Sequence, residues 1–174
     1  MSVQGFASIS NQVFTTAPAA LVATTEEALV PTLYTGIAAA ESYGGKVWEL
    51  VCGGIWTTAA TGALTLTPRV GLTSGGITLG ASAAITVPVS ITNIPWRLEF
   101  TLQCRSLGLA GANSTYIGTG HFITEGVTTA AFTVVCGGTQ ASADGTIATG
   151  LWMGKTLSVA GSMTTQYSSF RPWN

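Results

Sequence analysis

The sequence predicts an all-β domain, a sandwich or barrel of about eight or nine short strands. Three observations predict it. Thr, Val, Ile, Trp and Phe come in short runs between clusters of Gly, Pro, Asn and Ser, which is the pattern of strands and turns. Several runs alternate apolar and polar residues with period two. No long segment keeps a helical period. The composition agrees: charged residues are 7% of the 174, against about 25% in an average soluble protein. The hydrophobic share is an ordinary 47%, and Gly contributes 22 residues. Polarity therefore comes from hydroxyls and backbone rather than from charge.

In chain order, residues 1–25 read as an extended arm and residues 26–174 as the folded domain. Phe6, Ile9, Val13 and Phe14 are spaced among Ser, Asn, Gln and Thr, and no charged side chain precedes Glu26. These are too few apolar groups for a core but enough to dock on a neighbour, by strand addition or in a groove. Thr24 and Glu27 have capping-box spacing before Ala28-Leu29-Val30, with Pro31 directly after. That predicts a helix of barely more than one turn.

Lys46 to Cys52 places Trp48, Leu50 and Cys52 opposite Val47, Glu49 and Val51, a strand with both faces partly apolar. In Ala63 to Leu72, Leu64, Leu66, Val70 and Leu72 share a face, and Pro68 points to an edge strand or a bulge. Weaker strands are expected at Ile77–Leu79, Ala84–Val89 and Tyr116–Ile123. The clearest is Trp96 to Arg105: Trp96, Leu98, Phe100, Leu102 and Cys104 fall on one face, and Arg97, Glu99, Thr101, Gln103 and Arg105 on the other. Strict alternation over that length indicates one buried and one wet face. Phe132–Cys136 and Leu157–Tyr167 complete the set. Gly44-Gly45, Gly53-Gly54, Gly75-Gly76 and Gly137-Gly138 read as turns.

The same composition excludes several classes. Disorder requires low hydrophobicity or high net charge, and a helical bundle requires Glu, Lys, Leu and Arg that are scarce here. Nucleic-acid binding requires a basic stripe, whereas Lys plus Arg number 6 and the net charge is −1. The N-terminus, Met1-Ser2-Val3-Gln4-Gly5-Phe6, has no basic or long apolar signal region. Val70 to Trp96 carries no charge, but Gly75-Gly76, Pro88, Pro95 and many hydroxyl residues deny it the character of a membrane helix. Without a secretory signal, the sequon Asn113-Ser114-Thr115 reads as chance.

Little in the chain points to catalysis. There is one His, His121, and one Asp, Asp144, and no Gly-x-Ser-x-Gly elbow. His121 reads as a strand residue beside Gly118 and Gly120, and that glycine pair lacks the Lys-Ser/Thr and helix of a phosphate loop. Glu26-Glu27 suits a helix start better than acid–base work, and Arg97 with Glu99 reads as two exposed side chains. Cys52, Cys104 and Cys136 have no metal spacing, and an odd number leaves one over from any bridge. All three are expected to be buried and reduced, in a chain folded in a reducing compartment. The expectation is therefore no catalytic residue, no cofactor and no metal.

A surface this poor in charge suits burial against neighbours. Free domains carry more charge, and obligate interfaces are depleted in it and rich in aromatics; here there are 5 Trp, 4 Tyr and 6 Phe. The composition fits a homo-oligomer or a lattice component.

Three runs carry a resemblance: Gly45-Lys46-Val47-Trp48-Glu49-Leu50-Val51-Cys52-Gly53-Gly54, Leu64-Thr65-Leu66-Thr67-Pro68-Arg69-Val70-Gly71, and Ile94-Pro95-Trp96-Arg97-Leu98-Glu99-Phe100-Thr101-Leu102. They are followed by Arg105-Ser106-Leu107-Gly108, Leu157-Ser158-Val159 and Thr164-Thr165-Gln166-Tyr167. Over roughly residues 30–174 the chain resembles the small TNF/C1q-like jelly-roll structural proteins of tailed-bacteriophage virions. The resemblance implies a two-sheet antiparallel jelly roll that forms a homotrimer. It also implies a capsid decoration (cement) protein on the capsid exterior, assembled in the host cytoplasm, whose partner is the major capsid protein. The chain has no heptad stalk and no collagen-like repeat, so a decoration protein fits better than a fibre. The docking residues are then Phe6, Ile9, Val13 and Phe14, with no role for nucleic acid or membrane. The alternative is a receptor- or glycan-binding head of a phage tail or fibre, in which Trp56, Tyr116 and Trp152 would stack on sugars.

Overall fold

The structure, a computed structural model, describes residues 10–13, 25–30, 35–39, 41–87, 89–108, 114–125, 132–135, 141–145 and 147–173. Among these residues there is no helix. The strands are β1 (Ser10–Val13), β2 (Glu27–Ala28), β3 (Gly36–Ile37), β4 (Val47–Thr58), β5 (Gly62–Val70), β6 (Ile77–Thr78) and β7 (Ile85–Val87). They continue with β8 (Ile91–Ser106), β9 (Ser114–Thr124), β10 (Phe132–Val135), β11 (Ala141–Ala143), β12 (Thr149–Leu157) and β13 (Gly161–Pro172).

These strands form two antiparallel sheets. The larger runs β1-β13-β4-β8-β9-β10, with β11 also on β9. The smaller runs β2-β12-β5-β6, with β3 also on β12 and β7 also on β5. The pairing is nested. β1 pairs with β13, β2 with β12, β4 with β8, and β5 with β7. The chain is thus a long antiparallel ribbon whose successive strand pairs fall alternately in the larger and the smaller sheet. Strands β9, β10 and β11 lie outside this nesting and extend the larger sheet.

Period two explains the core. Trp48, Leu50, Cys52 and Trp56 of β4 face inward with Trp96, Leu98, Phe100, Leu102 and Cys104 of β8. They join Leu64, Leu66 and Val70 of β5 and Leu151, Met153 and Leu157 of β12 in one core. Each large side chain buried here stabilises the sandwich by about 1.5–3 kcal/mol relative to an exposed one.

Several expectations are corrected. The short helix after Thr24 is instead β2: Glu27 and Ala28 pair with Lys155 and Gly154. Tertiary pairing outweighs the capping signal because it also carries Leu29 and Val30 into the core. The run Leu157–Tyr167 is not one strand. It breaks at Ser158–Ala160, where the chain leaves the smaller sheet for the larger. Leu72 does not share the buried face of β5. It is exposed, because the chain turns at Gly71, whose φ of 143° suits glycine. Gly53 and Gly54 are not a turn but lie inside β4. Pro68 lies within a strand paired on both sides, yet no ladder bond is lost. Its carbonyl accepts from Leu79 N, so its missing N–H faces the gap between β6 and β7.

Candidate functional site

The arm residues come first. Ser10–Val13 adds a strand to the edge of the larger sheet, with Val13 opposite Tyr167 and Ser10 opposite Phe170. Phe6, Ile9 and Phe14 lie outside the described residues.

Next in the chain is a strap across one edge of the sandwich. After β2, Leu29 N donates to Met153 O of the smaller sheet, and the Leu29 carbonyl accepts from the Thr165 hydroxyl of the larger. Leu29 and Val30 are fully buried, so one short segment joins both sheets. Beside it Lys155 is 1% exposed, and its Nζ donates to the Met163 carbonyl at 2.6 Å. Burial pulls the Lys155 ammonium down to about 8, opposed by the Glu27 carboxylate.

On the outer face of the smaller sheet, Glu26 Oε2 accepts from Arg69 Nη2 at 2.8 Å. The Arg69 guanidinium also bonds the Thr78 hydroxyl and lies 5.8 Å from the Trp152 ring centroid. Gly154 makes room for this clasp, since a Cβ there would strike the Glu26 carboxylate and come 2.5 Å from the Trp152 ring.

The outer face of the larger sheet carries an open cleft of about 550 Å³. Gly53 and Gly54 explain its shape. A Cβ on Gly53 would collide with the Tyr167 hydroxyl and lie 2.8 Å from the Trp96 carbonyl, and one on Gly54 would strike the Thr164 backbone. Tyr167 can therefore lie across β4 where a side chain would otherwise stand. A bulge in β13 between Thr165 and Tyr167 adds Gln166 to the rim. Arg97, Ile123 and Glu125 also line the cleft.

The remaining candidates are dispersed. His121 lies opposite Glu99, whereas Asp144 follows the Ala143–Ser114 pair, roughly 20 Å away along β9 at about 3.3 Å per residue. No group of three His, Cys, Asp or Glu gathers as a metal site among the described residues. Cys52 and Cys104 are buried and unbridged, and desolvation pushes both thiols up. Cys136 lies outside the described residues. Trp56, Tyr116 and Trp152 are all buried, so none offers a ring to a sugar. The exposed tyrosine of the cleft, Tyr167, carries no local sequence signal of this role, because its platform is made by a glycine on a strand more than a hundred residues earlier. No helix among the described residues is long and apolar enough to cross a membrane. No family model, curated protein or solved structure matches the chain.

Proposed function

We propose that this protein is a structural component of a bacteriophage virion, a capsid decoration protein. It assembles as a homotrimer and docks on the major capsid protein at the capsid exterior, after assembly in the host cytoplasm. One observation carries this reading. Tyr43, Leu107 and Trp173 are exposed at one end of the larger sheet, and Leu72, Ile77 and Ile147 at the matching end of the smaller. Large apolar side chains gathered at one end, on a chain with 7% charged residues, suit a surface that neighbours cover. The nested pairing supports a jelly roll, an architecture shared by viral capsid and lectin domains. The arm supplies the lattice contact through Phe6, Ile9 and Phe14, which flank in sequence the Ser10–Val13 strand paired with β13, and three arms per trimer reinforce one another.

Light scattering of the purified protein is expected to give three times 17.7 kDa, and Ile147→Asp with Trp173→Asp to give monomers. Deleting residues 2–9, which keeps β1 and its pairing with β13, is expected to leave the trimer folded and to weaken binding to undecorated capsids sharply. A stable wild-type monomer overturns the trimer, and truncated protein at full occupancy on capsids overturns the role of the arm.

A further inference from the structure

We propose that the outer-face cleft of the larger sheet binds a neutral sugar, with Tyr167 as the stacking platform. The inference does not depend on whether the protein decorates a capsid. It starts from Gly53, which has no side chain and so lets the Tyr167 ring lie across β4 while remaining 42% exposed. A glycine inside a strand marks a close approach, and here the approaching group is an aromatic ring that still faces solvent. The volume of about 550 Å³ lies in the usual range for a small-molecule site, about 300–1,000 Å³.

The chemistry of the walls narrows the ligand. The strands beneath, β13, β4, β8 and β9, are paired with one another across the floor of the cleft, so the floor offers no free backbone edge to a peptide strand. Recognition falls to side chains. Gln166, placed on the rim by the bulge, offers an amide donor and acceptor. Arg97 and Glu125 add one guanidinium and one carboxylate, and Arg97 already pairs with Glu99 at 2.6 Å. The lining carries no net charge, so it selects neither an anion nor a cation. An aromatic face beside donors and acceptors of balanced charge matches a pyranose, which presents an apolar C–H face and a rim of hydroxyls.

The test is saturation-transfer NMR and titration of the full chain with glucose, galactose, N-acetylglucosamine and lactose. At least one is expected to bind with a millimolar or lower Kd, with saturation strongest on its C–H face. Tyr167→Ala is expected to weaken that affinity about tenfold, the scale of one aromatic contact, and Tyr167→Phe to retain it. Should Tyr167→Ala fail to fold by circular dichroism, Gln166→Ala and Arg97→Gln take its place, and each is expected to weaken binding. Absence of binding by all four sugars at millimolar concentration overturns the assignment. So does affinity unchanged by Tyr167→Ala, or by both replacement variants.

Discussion

The two outer faces of the sandwich use similar residues to different ends. On the smaller sheet, Glu26 and Arg69 pair with side chains only 23% and 20% exposed, over a buried Trp152. On the larger sheet, Arg97 and Glu99 pair at 52% and 43% exposure. Arg171 and Glu49 also pair there, across β13 and β4. The first pair holds a segment of the chain in place, because Glu26 directly precedes β2 and the buried Leu29. The other two decorate a face already fixed by its ladder. Ion pairs matter here in proportion to what they exclude from water, and the smaller sheet is the one whose outer face is covered.

That contrast can be broken most strongly from below. Leu29→Ala keeps the two backbone hydrogen bonds of the strap but removes its buried side chain, and is expected to destabilise the protein by about 2–5 kcal/mol in urea denaturation. A loss under 1 kcal/mol, roughly the scale of a surface change, would show that the strap is not part of the core.

Lys155 tests the same edge through pH. Its folded value, about 8, lies below the ordinary 10.5, so the unfolded chain binds more protons between these values. Stability from this group therefore rises as pH climbs through that window, by roughly 3 kcal/mol in all. The raised Cys52, Cys104 and Tyr116 groups act in the opposite direction at alkaline pH, so the wild type alone is not diagnostic. The difference between wild type and Lys155→Met isolates the effect: the variant is expected to be more stable at neutral pH, with its advantage shrinking toward pH 10.5. A pH-independent difference would contradict the buried ammonium.

The ion pairs themselves give the smaller effects. Arg69→Ala is expected to cost about 1–2 kcal/mol, from the pair and the Trp152 contact. Arg97→Ala is expected to cost under about 0.5 kcal/mol. Equal losses would abolish the distinction between the two faces.

The clearest strand in the sequence was clear for a physical reason. In Trp96 to Arg105 the outward residues meet water, so polarity alternates as burial does. β12 was invisible because that link fails twice. Trp152, outward, is covered by the Arg69 clasp, while Lys155, inward, is polar yet buried. The capping signal at Thr24 and Glu27 is local, and it lost to the nonlocal pairing with β12. Of the candidate site, Arg97 was legible only as a surface residue. Gly53 and Gly54 looked like a turn because sequence alone does not show a ring from β13 arriving above them.

The nested ribbon also bears on how the protein is made. β4 ends at Thr58, and its partners are β8 and β13, the latter spanning Gly161–Pro172. During synthesis β4 can zip to β8 once residue 106 is free, but its other edge waits for nearly the whole chain. Loop closure over such separations slows folding, and a half-made sheet exposes an unpaired, apolar edge to other nascent chains. A ribosome pausing between residues 106 and 161 would hold the chain in that state, so yield in a host should respond to translation speed across this stretch more than to speed anywhere before it.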